Sequence, residues 1–422
     1  MIRAKWRQMG VWGVGTLASA LALTLAGCIG GPDGGPRAGR RSAPPVVAAS
    51  PPADLPPTDL PPGETGPGPA ASGTRIGTGA VKVALVVPLT GPGAAVGAAL
   101  RNAAELAVED FQKPDLQILV KDDRGTADGA REAAQAALAD GAELVLGPLF
   151  AANVQAASVA TRAAGKPVIA FSTDAAVAAR GVYLLSFLPQ AEVDRIVDEA
   201  VAKGRRSFAA LIPENSYGNA VEAQFREAVA RKGARLVGIE RYAPGNPGPA
   251  VGRLSGLITG GGAQADALFL PDTPDGLAAL DPVLAKAGFS PTRVRPLGTA
   301  VWNDPRAFAL PSLQGGWFAA PDAAGFSNFS QRYHARFGAV PPRVATLAYD
   351  AVSLTAALSR QFGSQRFADT TLTNPSGFSG VDGTFRFRPD GPSDRTLAVY
   401  EIRSGAPAVV SPAPRVLGPS GT

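Results

Sequence analysis

From residue 81 to residue 287 the chain alternates short β-branched runs with one-sided apolar helices, and this alternation limits its fold more than any other feature. Val-Lys-Val-Ala-Leu-Val-Val at 81–87 stops at Pro88. A helix is expected over 97–112, because Leu100, Ala103, Ala104, Ala107, Val108 and Phe111 fall at the spacing of a single helical face. The unit then recurs, with strands expected at 116–120, 144–146 and 168–171 and helices at 127–139 and after Asn153. A second series starts near Gln190, with helices to Lys203 and over 220–231, 250–258 and 276–287, and strands at 208–212, 236–242, 267–270 and 295–297. Strands alternating with helices imply parallel sheets with right-handed crossovers. The expected fold is therefore α/β, with two doubly wound Rossmann-like lobes joined by a hinge. The C-terminal part breaks the pattern. Two helices are expected at 323–337 and 345–362, then two strands, 383–387 and 397–402, that pair with each other. A flexible tail is expected over 404–422.

The N-terminus reads as an address. Arg3, Lys5 and Arg7 precede an uncharged apolar run over 11–25, too short for a membrane span and proportioned like a secretory signal. Leu25-Ala26-Gly27-Cys28 closes it, and Cys28 is the only cysteine. This ending resembles the lipobox of bacterial lipoproteins, which implies cleavage after residue 27 and lipidation (palmitate) of Cys28. Cys28→Ser is expected to abolish incorporation of labelled palmitate; label retained by the variant would remove the anchor. From Gly30 to Gly73, twelve prolines and nine glycines stand without one aromatic residue. Such a segment cannot bury enough apolar surface to offset chain entropy, so 28–79 is expected to be a disordered linker behind the anchor.

Composition excludes several functions. The signal takes three of the 40 basic residues and none of the 35 acidic ones, leaving the remainder nearly neutral. Without a dense Lys/Arg stripe, nucleic acid is not an expected partner. One histidine, His334, and one cysteine cannot build a His-based zinc site or a Cys–His pair. Gly91-Pro92-Gly93-Ala94-Ala95-Val96-Gly97 follows a strand, with Asp122 and Asp123 ending the next one. Its spacing and its proline depart from a dinucleotide loop. No enzyme activity, cofactor or metal is expected.

Val86-Val87-Pro88-Leu89-Thr90-Gly91-Pro92, Leu146-Gly147-Pro148, Lys166-Pro167-Val168-Ile169, Pro213-Glu214-Asn215-Ser216-Tyr217-Gly218, Ala348-Tyr349-Asp350-Ala351 and Gly380-Val381-Asp382-Gly383-Thr384-Phe385-Arg386-Phe387 occur in that order. Together they resemble the type I periplasmic binding proteins, including the leucine/isoleucine/valine receptors, over about 80–403. The resemblance implies three chain crossings and a ligand cleft between the lobes. Lobe 1 is expected at about 80–187 and 318–365, and lobe 2 at about 188–317 and 366–403. Gly147-Pro148-Leu149-Phe150, Phe171-Ser172-Thr173-Asp174, Leu347-Ala348-Tyr349-Asp350 and 380–389 are similar to the lipoproteins called penicillin-binding-protein activators. That likeness implies a periplasmic protein on the inner leaflet of the outer membrane, which touches a bifunctional peptidoglycan synthase. The alternative is the receptor of an ABC transporter for an amino acid or other small solute.

Amino-acid receptors of this family hold the ligand carboxylate with hydroxyls and backbone N–H groups and the ammonium with an acid. The corresponding cleft candidates are Thr90, Phe150, Ser172, Thr173, Tyr217, Asp272 and Trp302. No serine follows Gly147-Pro148, and Gly298-Thr299-Ala300-Val301-Trp302 contains no acid. Asp272 or Asp174 could substitute but neither is the expected replacement, so half of the amino-acid grip is missing and free leucine, isoleucine and valine are expected to bind poorly.

Overall fold

The computed structural model describes residues 75–112 and 114–418. The leader, Cys28 and the linker up to residue 74 lie outside them. The chain opens with β1 (Arg75–Ile76), β2 (Val81–Val87), α1 (Ala94–Asp110), β3 (Leu116–Asp122), α2 (Ala127–Ala139), β4 (Val145–Leu146), α3 (Ala151–Ala163), β5 (Val168–Ala170) and β6 (Val182–Leu184). These strands form one sheet in the order β1-β3-β2-β4-β5-β6, parallel except for the edge strand β1. Helices cover both faces, so β2 is buried along nearly its whole length and reads as a continuous apolar run.

The chain then enters lobe 2 with α4 (Pro189–Ala202), β7 (Ser207–Pro213), α5 (Ser216–Arg231), β8 (Arg235–Tyr242), α6 (Gly248–Ile258), β9 (Ala267–Phe269), α7 (Pro274–Lys286), β10 (Arg295–Gly298), α8 (Pro305–Phe308) and β11 (Trp317–Ala320). It returns to lobe 1 with α9 (Ala323–Phe337), α10 (Ala345–Gln361), α11 (Asp369–Leu372) and the antiparallel strands β12 (Phe378–Gly380), β13 (Gly383–Phe387) and β14 (Ser393–Arg395). It ends in lobe 2 with β15 (Ala398–Arg403) and β16 (Ala406–Ser411). The lobe 2 sheet runs β16-β15-β11-β10-β9-β7-β8; β15 is antiparallel to β11, and β16 is antiparallel to β15, while the other pairs are parallel. Its two faces bury separate cores; Phe225 stacks on Phe269 at 4.5 Å in one, and Phe318 on Tyr400 at 5.3 Å in the other. Mixed α/β architecture with two Rossmann-like lobes is what the alternating pattern implies.

Four boundaries differ from the expected ones. β11 belongs to lobe 2, so the second crossing falls after residue 320 rather than at 317. Residues 366–395 pack with lobe 1, because Phe367, Leu372, Phe385 and Phe387 share a core with α1, α9 and α10. The expected pairing of 383–387 with 397–402 fails for the same reason. β13 pairs with β12 and β14, while β15 pairs with β11 and β16. The expected tail begins with an ordered strand, β16, and the expected linker ends with β1, which adds to β3.

Candidate functional site

In open α/β sheets ligands sit beyond the carboxyl ends of the parallel strands. In lobe 1 those ends carry Thr90 after β2, Asp122 at the end of β3, Gly147 to Phe150 after β4 and Ser172 to Asp174 after β5. Gly147 has φ +84, and a Cβ there would stand 2.1 Å from the Val86 carbonyl oxygen, so the turn into α3 requires glycine. The half-buried Phe150 occupies the N-cap of α3 and supplies no capping bond, leaving the first-turn N–H groups without a side-chain partner. Its ring lies against the loop at Gly93.

The other lobe 1 candidates are held by their neighbours. The exposed Thr90 donates its hydroxyl to Asp122 at 2.6 Å. Burial would raise Asp122, but this bond and the N–H groups of Arg124, Leu89 and Thr90 hold it below the ordinary range. The Ser172 hydroxyl accepts from the Asp174 N–H at 3.1 Å, and Asp174 accepts from Ala176 N–H at 2.9 Å. Asp174 therefore caps a single turn at Ala175–Val177 rather than offering its carboxylate to a ligand. Thr173 is half-buried beside them.

In lobe 2, Tyr217 opens α5, and its hydroxyl meets that of Thr299, beyond β10, at 2.6 Å. Burial raises the Tyr217 phenol, and the nearby carboxyls of Glu192 and Asp272 raise it further. Asp272 is buried; it accepts from the Tyr242 hydroxyl and from the Thr273 N–H at 2.7 Å. Burial raises its pKa against those bonds. Trp302 is fully buried and its indole N–H donates to the Leu270 carbonyl at 2.8 Å. It packs in the lobe core against Phe318 and cannot serve as a ligand platform.

Sequence reasoning missed the acid of this site. Glu192 lies on α4 with Val193, Ile196, Val197 and Ala200 on its buried side, and its carboxylate accepts from Ala300 N–H at 2.9 Å. That is the loop where no acid occurs in sequence. Its other oxygen has no hydrogen-bond partner among the described residues. Burial pushes Glu192 up to about 8, opposed by the Ala300 N–H and by Arg343, which approaches from lobe 1. The available signal was a glutamate inside the apolar stripe of an amphipathic helix.

The structure thus collects Glu192, Tyr217, Thr299 and Asp272 at the carboxyl edge of lobe 2. At the edge of lobe 1 it places Phe150 and the uncapped start of α3, together with the Thr90–Asp122 and Ser172–Asp174 pairs. Among the described residues no cluster of His, Cys, Asp or Glu is arranged to hold a metal, and no helix is long and apolar enough to cross a membrane.

A family described as periplasmic binding protein matches residues 80–407, and the chain belongs to it. Solved structures show the same fold. A Rhodospirillum rubrum protein described as belonging to a branched-chain amino acid ABC transporter superposes with a TM-score of 0.69 at 22% identity, covering 78% of this chain and 100% of its own. A periplasmic ligand-binding protein of a branched-chain amino acid ABC transporter from Burkholderia xenovorans gives 0.63 at 18% identity, covering 80% and 96%. LivJ of Streptococcus pneumoniae, a branched-chain amino acid transporter substrate-binding protein solved with isoleucine, gives 0.54 at 19% identity, covering 79% and 99%. No curated protein matches the chain in sequence.

Proposed function

We propose that this chain is a periplasmic solute receptor for an ABC importer, and that its cleft takes a small carboxylate bearing an amino group. The observation that carries this is Glu192, a buried acid delivered from α4 to the loop beyond β10, beside the Tyr217–Thr299 hydroxyl pair. A buried ammonium needs a carboxylate partner, and the uncapped start of α3 on the other lobe suits an anion. The similar transport receptors support the same reading. This departs from the expectation of weak amino-acid binding, which rested on the missing serine after Gly147-Pro148 and the missing acid after Gly298. Binding here is capture rather than catalysis, and a lipid at Cys28 would tether the receptor to a membrane.

A panel of amino acids and of carboxylates without an amino group, such as benzoate, tests the reading by thermal shift. A ligand at 100 times its dissociation constant stabilises by about 2.7 kcal/mol. Amino-bearing ligands are expected to raise the melting temperature and benzoate to leave it unchanged. If no amino compound shifts it, the receptor reading fails. The activator reading is favoured by one structural fact, that Thr90 spends its hydroxyl proton on Asp122 inside lobe 1. Retention of a bifunctional peptidoglycan synthase by the full lipidated chain, combined with a silent ligand panel, would select it.

A further inference from the structure

We propose that the hinge holds a second binding site, separate from the cleft, for one small planar oxyanion such as formate, gripped by the Arg395 guanidinium. Arg395 ends β14, immediately before the chain crosses to lobe 2, and it is only 7% exposed. Its Nε, Nη1 and Nη2 are buried, and none has a hydrogen-bond partner among the described residues. The guanidinium lies 5.2 Å from the ring of Phe187, at the first crossing, and 5.5 Å from that of Phe385. A buried cation with no hydrogen-bonded partner is strongly disfavoured, so the fork calls for an acceptor.

The surrounding charges leave room for one. Asp382 is committed: it accepts from Arg343 Nη2 at 2.6 Å and from the Thr346 hydroxyl at 2.6 Å. Those two opposite charges cancel. Asp350, on α10, accepts from the Val381 N–H at 2.8 Å, and its Oδ2 has no partner. Burial pushes Asp350 up to about 7, and Asp382 adds to this while Arg395 and the Val381 N–H oppose it. Once Asp350 carries its proton, the cluster is left with the unbalanced charge of Arg395. Two more buried atoms lack partners, Arg343 Nε and the hydroxyl of Ser393. Ser393 stands two residues from Arg395 on β14 and so projects from the same face. A planar guanidinium whose three nitrogens are all free matches a carboxylate bidentately, and the flanking Phe187 and Phe385 rings restrict the guest to a small one.

Formate replacing chloride at constant ionic strength tests this on the whole chain by thermal shift and calorimetry. Formate is expected to raise the melting temperature and to bind about tenfold more tightly at pH 6 than at pH 8, because one proton enters at Asp350 with the anion. At pH 6, where Asp350 carries its proton, Arg395→Met is expected to fold at least as stably as the parent, since an unbalanced buried charge is replaced by an apolar chain, and to lose the response. Arg395→Lys keeps the charge and loses the fork, and is expected to weaken formate at least about tenfold. Glu192→Gln, which alters the cleft, is expected to change formate binding far less than the Arg395 variants do. Equal shifts in chloride and formate, no shift at millimolar formate, or undiminished binding in the Arg395 variants would overturn the site.

Discussion

Glu192→Gln is expected to make the protein more stable at pH 8 and, in the same molecule, to cost it its ligand. The folded Glu192 titrates near 8, against 4.5 for the free side chain. Between those values the folded state keeps a proton that the unfolded chain has released. The stabilising contribution of that proton is complete below pH 4.5 and is lost as pH rises through 8. Ionised at pH 8, the buried carboxylate has only the Ala300 N–H and the more distant Arg343 to offset its desolvation. Glutamine preserves the acceptor for Ala300 and never ionises, so the variant is expected to gain on the order of a few kcal/mol over the parent at pH 8 and little at pH 5. Melting curves from pH 5 to 9 would show the parent falling more steeply than the variant, which keeps only the slope of the other buried acids such as Asp350.

Ligand binding gives the opposite sign. An ammonium in the cleft requires the ionised carboxylate, so binding to the parent is expected to release about one proton near pH 7 and to tighten as pH rises towards 8. Removing the charge leaves a desolvated ammonium without its partner, for which a loss of at least about a hundredfold in affinity is expected. Calorimetry in two buffers of different ionisation enthalpy reads the proton directly. A variant with parental affinity and a parental pH profile would remove Glu192 from the site. The hinge anion tightens in the other direction of pH, so the two sites separate in a single titration series.

The alternating units were legible because helices cover both faces of each sheet, which leaves apolar runs such as Val83–Val87 in the strands and narrow stripes in the helices. α2 and α9 begin and end where their sequence pattern does: Thr126 and Asp322 cap their first turns, and Gly338 ends α9 in a left-handed conformation. β11 was not legible; four residues after Gly315-Gly316 carry no periodic signal. Nor was the fate of β13 and β15, because strand pairing is decided between distant segments: Phe385 meets Arg395 and Phe378, whereas Tyr400 meets Phe318. The site was legible as a set of loops and illegible as chemistry. Glu192 and Ala300 stand 108 residues apart, and local sequence around Ala300 holds no trace of the acid that reaches it. The commitments that remove Asp174 and Asp272 from the free acids, to Ala176 N–H and to Tyr242, are equally invisible without the fold.

Trp302→Ala is expected to be the most destabilising single change in lobe 2, and its effect separates a core tryptophan from a ligand platform. The ring fills space between β10 and β11. A Cβ at Gly298 would stand 2.1 Å from it, so the strand end has been cut back to glycine to admit the indole. Its N–H serves the Leu270 carbonyl at the end of β9, tying the loop after β10 to the neighbouring strand. Truncating a buried tryptophan costs about 3–5 kcal/mol through lost packing and the cavity left behind. That corresponds to a fall of roughly 4–7 °C in melting temperature for a domain of this size. Trp302→Phe keeps much of the volume and deletes the donor; its smaller loss, about 1–3 kcal/mol, isolates the unmet Leu270 carbonyl. Both variants are expected to retain ligand affinity within a fewfold at temperatures where they stay folded, because the ring has no exposed surface to offer a guest. A melting temperature close to the parent's combined with a large loss of affinity would return Trp302 to the cleft.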